Sequence, residues 1–184
     1  MGRRGRANIL EFNDTFFVTT TVVEFIKIFL SECYCDILVN NIKHYQQRYS
    51  FKILGYVIMP SHWHWIVTID RTKGTLSDIM RDIKKYSAWD LMDMLEKEGR
   101  NDLLETFARN AQEYPDQKRK LWMPRFDDEA IRNREMFKTK LDYIHNNPVQ
   151  AGIVDVPEDY KYSSARSYLS DDETVLAVDT EWYT

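Results

Sequence analysis

The sequence has few cysteines and no long apolar run, and both absences exclude whole classes of protein. Cys33 and Cys35 are the only cysteines among 184 residues, too few and too close together for a disulfide framework. No stretch approaches the roughly 20 apolar residues of a membrane-spanning helix, and no apolar segment of secretory type follows the basic N-terminus. We therefore expect no membrane contact and a reducing, cytoplasmic environment.

Flexible linkers, repeats and low-complexity tracts are also missing, and glycine and proline number only six and five. Apolar residues make up 43% of the chain and aromatic residues 14%, which is enough for an ordinary core and excludes disorder of the whole chain. The length predicts one domain over residues 1–184. Residues 153–184 read as an acidic C-terminal tail of that domain.

The net charge of −4 by itself argues against binding of nucleic acid, but the distribution of charge along the chain is compatible with such binding. Residues 155–184 carry eight acids and two bases, so the remaining chain is slightly basic. Its bases are clustered, and clusters can follow a phosphate backbone, although most such clusters are simply solvated surface. The candidate DNA contacts are Arg3, Arg4, Arg6, Arg81, Lys84, Lys85, Lys120, Arg125 and Lys140.

Hydrophobic periodicity and turn residues predict the order β-α-β-β-α-β-α. Two split βαβ units on one antiparallel sheet, the ferredoxin-like arrangement, are the most economical packing for this order, so we expect an α+β fold. The predicted strands are 15–23, 51–59, 62–70 and a short 120–126, and the predicted helices are 25–49, 75–97 and 133–147. A short helix within 101–116 is less distinct, and Pro148 and Gly152 are expected to close the late helix.

Two of the four histidines, His62 and His64, lie two residues apart in a predicted strand. Their side chains leave the same face of the sheet, and those of Trp63 and Trp65 leave the opposite, core-facing side. Two adjacent imidazoles form a plausible half-site for a metal ion. A pair of half-exposed strand histidines without a ligand is the alternative.

The late helix places Tyr143 and Asn147 four residues apart, and therefore side by side on its flank. Because the two earlier helices cover the tryptophan face of the sheet, this helix must pack on the histidine face or at its edge. Tyr143 would then approach a metal held by both histidines, with Asn147 as an oxygen ligand. The alternatives are a packing tyrosine and a helix-end asparagine, since Pro148 disfavours helical geometry at Asn147.

Two motifs resemble those of a known family. The stretch Tyr56 to His64 (YVIMPSHWH) resembles the histidine hairpin of the HUH single-strand DNA endonucleases. The stretch Asp142 to Gly152 (DYIHNNPVQAG) resembles the tyrosine helix of their single-tyrosine transposases, in particular the REP-associated tyrosine transposases. Two further stretches, 122–126 and 162–168, resemble the same group, so the similarity extends over residues 15–168.

The resemblance implies a transposase-type endonuclease that cleaves and rejoins single-stranded DNA. It identifies Tyr143 as the nucleophile that forms a 5′-phosphotyrosine, which conserves the phosphoester energy for rejoining. His62, His64 and Asn147 would hold one Mg²⁺ or Mn²⁺, and imidazole ligands favour manganese. The expected partner is single-stranded or hairpin DNA in a bacterial cytoplasm, and the expected state is a monomer or homodimer.

Two other functions fit the same residues. The chain could be a catalytically inactive or domesticated protein that binds single-stranded or hairpin DNA. It could also be a metal-dependent hydrolase that uses water, with Tyr143 in a structural role. Covalent attachment of DNA to the protein distinguishes the first interpretation from both of these.

Overall fold

The structure, a computed structural model, describes residues 14–170 and 172–180. Its strands are β1 (Thr15–Thr21), β2 (Lys52–Met59), β3 (His62–Thr68) and β4 (Asp127–Ala130). Its helices are α1 (Glu32–Tyr49), α2 (Leu76–Lys97), α3 (Asn101–Arg109), α4 (Arg134–Gln150) and α5 (Ala165–Leu169), with three short 3-10 turns between them. No helix within these residues is long and apolar enough to cross a bilayer.

The four strands form one antiparallel sheet in the order β2-β3-β1-β4. This order places the two hairpin strands on one side of β1 and the late strand on the other, as two split βαβ units require. The predicted α+β, ferredoxin-like class is therefore confirmed. Pro60 and Ser61 form the turn between β2 and β3, and Met59 pairs with His62 directly after it.

Helices cover the two faces of the sheet unequally. Helices α1 and α2 pack on the face of Trp63 and Trp65, and together they enclose the larger core. Helix α4 packs on the other face, where Phe137, Leu141 and Ile144 contact the apolar side chains of β2 and β3. Strand β2 is buried on both faces, which explains its unbroken apolar run over 53–59.

Two of the predicted elements have different residue ranges in the structure. The fourth strand is Asp127–Ala130, an exposed acidic segment, and the prediction of 120–126 was wrong. The apolar residues that suggested that strand, Leu121 and Trp122, are buried in the larger core, and Trp122 makes only an isolated bridge to Val22. The predicted helix over 25–49 also starts late, because two 3-10 turns precede α1.

Helix α4 begins as the sequence predicts and ends later. The Asn133 side chain accepts a hydrogen bond from the Met136 amide, which caps the first turn. The helix continues through Pro148, because a proline in the last turn removes only one backbone hydrogen bond. It ends at Gln150, and just beyond it Gly152, with a φ of 67°, permits bonds from Gly152 and Ile153 back to Val149 and Pro148.

The acidic C-terminal stretch packs along the outer edge of β2. Ser163 forms a bridge with Val57, and the Ile58 amide donates to the Tyr162 carbonyl over 2.9 Å. Farther along, the Asp179 amide donates to the Ile53 carbonyl. Tyr162, Ala165 and Leu176 are buried by this contact. The segment therefore covers the β2 edge, while the opposite edge of the sheet is the short, charged β4.

Candidate active site

The histidine face of β3 brings His62 and His64 together at the end of the strand nearest the hairpin turn. Their ring centroids lie 4.7 Å apart, with the ring planes inclined by 74°. His64 is buried and His62 is half-buried. Alternation along the strand sends both rings to the face that α4 covers, as their spacing predicts.

Hydrogen bonds at Nδ1 fix both imidazoles and leave Nε2 available. His64 Nδ1 lies 2.8 Å from the Thr19 hydroxyl of β1, its partner in the sheet register, and His62 Nδ1 lies 3.2 Å from the Ser61 hydroxyl. Burial lowers the pKa of His62, and burial together with the charges of His62 and Lys140 lowers the pKa of His64 to about 3. Both pKa shifts favour the neutral imidazole, the form that can donate a lone pair.

Tyr143 extends from α4 toward these rings. Its phenolic oxygen lies 3.5 Å from His64 Nε2, the outer limit of a hydrogen bond, and the two rings meet edge to face. Phe17 of β1 stacks on His64 and contacts the edge of Tyr143. Tyr143 is nevertheless 43% exposed, so the phenol is held in place from one side and remains accessible to a substrate from the other.

Lys140 lies one turn before Tyr143 and is held by two contacts. Its ammonium pairs with the Glu129 carboxylate of β4 over 2.6 Å and sits 4.7 Å above the ring of Phe17. The lysine side chain is only 26% exposed, so it is a positioned charge beside the histidine face. A phosphate at this place would compete with Glu129 for the same ammonium.

His62 and His64 could together supply two nitrogen ligands to a metal ion. Within residues 14–170 and 172–180, no cluster of three or more His, Cys, Asp or Glu side chains could hold a metal, so any further protein ligand must be of another type. Asn147 is half-buried one turn after Tyr143 on the same flank of α4. The Thr19 contact orients His64 in the way that outer partners orient metal-bound histidines.

A second basic feature lies on the α2 side of the sheet. A groove of about 1010 Å³ runs between α2 and the loop that leads to β4. Lys85 sits 4.6 Å above the exposed ring of Trp89, and Lys120 sits 3.5 Å above Tyr114. Lysines paired with aromatic rings are the combination that tracks single-stranded nucleic acid.

The other basic residues proposed to contact DNA differ in whether their side chains already have partners within the protein. Arg81 forms ion pairs with Asp78 and Asp82. Lys84 donates to the carbonyls of the 123–125 loop, and burial together with Lys120 lowers its pKa to about 8. Arg125 is exposed, and the arginines at positions 3, 4 and 6 lie outside the described residues.

Sequence reasoning missed three side chains at this site: Phe17, Thr19 and Glu129. Phe17 and Thr19 come from β1, which pairs with β3, and Glu129 comes from β4, which pairs with the other edge of β1. None of them belongs to a local motif. The signal that could have found them is the register itself, since Thr19 pairs directly with His64 once β1 and β3 are aligned.

Comparison with known proteins places these residues in a family context. A family model described as "Transposase IS200 like" matches residues 26–147. That range includes both histidines and Tyr143 and ends at Asn147. It leaves out β1 and the segment that covers the β2 edge.

Two curated relatives and one solved structure carry related names. A REP-associated tyrosine transposase of Escherichia coli K12 is 29% identical over 62% of this chain, which spans only 54% of that protein's length. A protein from Haemophilus influenzae Rd, named as a REP-associated tyrosine transposase by prediction, is 27% identical over 81% of this chain and 78% of its own. The structure of a REP-associated tyrosine transposase bound to a REP hairpin matches with a TM-score of 0.64 and 25% identity, over 98% of this chain and 93% of that one.

Proposed function

Because the chain belongs to the IS200-like transposase family, we propose that it cleaves and rejoins single-stranded DNA through a 5′-phosphotyrosine on Tyr143. The observation that carries this proposal is the 3.5 Å approach of the Tyr143 oxygen to His64 Nε2. A tyrosine with a packing role alone would bury its ring, whereas this one presents its hydroxyl to the His64 imidazole and to solvent.

In the proposed reaction, the phenolic oxygen of Tyr143 attacks the scissile phosphorus in line with the departing 3′ oxygen. Tyr143 loses its phenolic proton as its oxygen bonds to phosphorus, the phosphorus–O3′ bond breaks, and the 3′ oxygen takes up a proton and leaves as a hydroxyl. A phosphotyrosine forms with no net gain or loss of protons. Attack by another 3′-hydroxyl reverses the step and joins a new end without a further energy source. Phe17 holds the Tyr143 ring in the attacking position, and Lys140 offers its ammonium to a phosphate oxygen.

We further propose that His62, His64 and Asn147 hold one Mg²⁺ or Mn²⁺. The ion would supply Lewis-acid polarisation of the scissile phosphate. The residues provide two neutral nitrogen donors and one amide oxygen, and Thr19 keeps the His64 Nε2 lone pair directed toward the Tyr143 side of the strand. This donor set predicts higher activity with Mn²⁺ than with Mg²⁺.

The proposed DNA partner is a single strand or a hairpin with single-stranded flanks. The related transposase structure holds a REP hairpin, and the basic aromatic groove along α2 offers a path for a flanking strand. Tyr143 and His64 of one chain already meet, which supports a site completed within a single chain. Binding without cleavage remains the competing function, and the same experiment separates the two.

The decisive experiment tests whether DNA becomes covalently attached. Labelled single-stranded fragments containing hairpins are incubated with the protein and Mn²⁺ and resolved on a denaturing protein gel. We expect label on the wild-type band, and none with Tyr143→Phe or with EDTA. Tyr86→Phe, at an exposed tyrosine of α2, is the matched control and should label as the wild type does.

Other outcomes would overturn the mechanism in distinct ways. Cleavage that persists in Tyr143→Phe without attachment would indicate a hydrolase that uses water. A shift of labelled DNA on a native gel, with neither cleavage nor attachment under any metal, would indicate a binding protein.

A further inference from the structure

A chain of buried hydrogen bonds connects the tyrosine helix to the covered edge of the sheet. His145 Nε2 lies 2.8 Å from the Ser164 hydroxyl. That oxygen accepts from the Tyr56 amide over 2.9 Å, and the Ser164 amide donates back to the Tyr56 carbonyl over 3.0 Å. His145 and Ser164 are both buried, so these bonds form away from water.

Helix α4 also packs against Gly55 of β2 beside this connection. A Cβ at Gly55 would lie 2.5 Å from Leu141 Cδ1 and 3.6 Å from the Ser164 hydroxyl, so a larger residue at this position would force the Leu141 side chain to move. Tyr168 packs its ring against His145 and donates its hydroxyl to the Leu54 carbonyl over 2.5 Å. Helix, strand and C-terminal segment therefore meet at one tightly packed point.

The connection lies on the opposite side of α4 from Tyr143. Two residues along a helix correspond to a rotation of about 200°, so His145 points toward β2 while Tyr143 points toward His64. A rotation of α4 by about 20° would move a side chain at its surface by about 2 Å. Holding His145 therefore limits the movement of the Tyr143 oxygen relative to His64.

The sheet closes this arrangement into a ring of contacts. Val57 pairs with His64 in the hairpin on one side and bridges Ser163 on the other. From His64 the path runs through Val57 to the 163–164 segment, then through His145 to α4, and finally from Tyr143 back to His64. A displacement of the C-terminal segment would thus be transmitted to the attacking tyrosine.

From these contacts we infer that His145 and Ser164 are positioning residues for the tyrosine reaction. They set the rotation of α4 and neither residue contacts the reacting groups. The inference rests on the proposed role of Tyr143 as nucleophile. It also assigns a function to residues 162–168, which lie beyond the 26–147 range that the family model matches.

The test separates the rate of attack from DNA binding and from stability. The rate of covalent attachment is measured at saturating single-stranded hairpin DNA with Mn²⁺, the DNA Kd is measured in EDTA, and thermal unfolding is followed in parallel. We expect His145→Leu and Ser164→Ala each to slow attachment about 10-fold or more, since small misplacements of reacting groups are costly. The Kd should change less than twofold.

A conservative variant and two comparisons make the result specific. His145→Gln keeps a hydrogen-bonding group for Ser164 and should recover most of the rate. The double variant should be no slower than the worse single variant, because both remove the same contact. Ile79→Val, buried on the opposite face of the sheet, should lower the melting temperature without slowing attachment.

Several results would overturn the inference: an unchanged rate in His145→Leu, additive losses in the double variant, or an equal loss in Ile79→Val at equal stability. If the wild-type protein forms no covalent product, the proposed function fails first. Amide hydrogen exchange in α4 then tests the connection alone. Faster exchange in His145→Leu than in Ile79→Val supports it, and equal exchange rejects it.

Discussion

Strand β3 has two faces that serve different purposes. Trp63 and Trp65 point into the core beneath α1 and α2, while His62 and His64 point to the face on which α4 packs. Tyr143 of α4 lies beside His64 on that face and is itself exposed. Residues required for folding and residues available for chemistry therefore alternate along one strand.

The largest expected effect comes from substituting neighbours on opposite faces of β3. His62→Ala should reduce covalent attachment of DNA by at least about 100-fold, because it removes a proposed metal ligand, and it should alter the free energy of unfolding by less than about 1 kcal/mol. Trp63→Ala should lower the free energy of unfolding by about 3–5 kcal/mol, the usual cost of emptying a buried aromatic site. Attachment assays and denaturant titrations check both variants.

The comparison would fail if the two variants behaved alike. Equal destabilisation would show that His62 belongs to the core as much as Trp63 does. Attachment that survives in His62→Ala at any Mn²⁺ concentration would remove that histidine from the proposed metal site.

The second prediction, with a smaller expected effect, compares the α2 side of the sheet with the histidine side. Lys85→Ala combined with Lys120→Ala should weaken single-stranded DNA binding, and the slope of log K against log salt should fall by about 0.7 per lysine. The rate of attachment at saturating DNA should stay unchanged, since the groove does not touch Tyr143. Fluorescence anisotropy over a salt series measures the slope.

The matched control removes the same charge from elsewhere on the surface. Lys43 and Lys73 are exposed and do not line the groove, so the variant with alanine at both should keep the wild-type slope. An equal loss of slope in the control would mean that general charge, rather than the groove, attracts the strand.

The smallest effect concerns the two faces of β4. Glu129 lies beside Phe17 on the histidine face and pairs with Lys140, whereas Asp128 lies beside Val18 on the core side. Glu129→Gln should release Lys140 and raise the affinity for single-stranded DNA about twofold at low salt, in keeping with the small energy of exposed pairs. Asp128→Asn removes the same charge and should raise the affinity less. Equal gains would exclude a specific role for Lys140.

The alternation in β3 explains why much of the fold could be predicted from the sequence. A period of two in His62 to Trp65, a capped helix after Asn133 and the turn at Pro60 are local signals, and each is present in the structure. The packing of α4 on the histidine face follows because α1 and α2 already occupy the other face. The local sequence pattern, together with the number of helices that must cover each face of the sheet, was sufficient to predict these features.

The remaining features depend on contacts between distant residues. The fourth strand is Asp127–Ala130 because Leu121 and Trp122 are drawn into the core, which no local pattern reveals. Lys84 belongs to a basic cluster in the sequence, yet it donates to loop carbonyls about 40 residues away. Thr19 and Glu129 acquire their partners only through strand pairing and helix packing.

The cover on the β2 edge has a consequence for how the chain folds. The bonds between Tyr56 and Ser164 join residues separated by 108 positions, so they form only after the intervening chain has been made and folded. Until then β2, which is apolar on both faces, has an unpaired edge that can pair with a strand of another molecule. During synthesis, the protein is therefore most prone to aggregation before the 162–168 segment docks on β2. A chain released from the ribosome before residue 162 has been added would keep this edge unpaired.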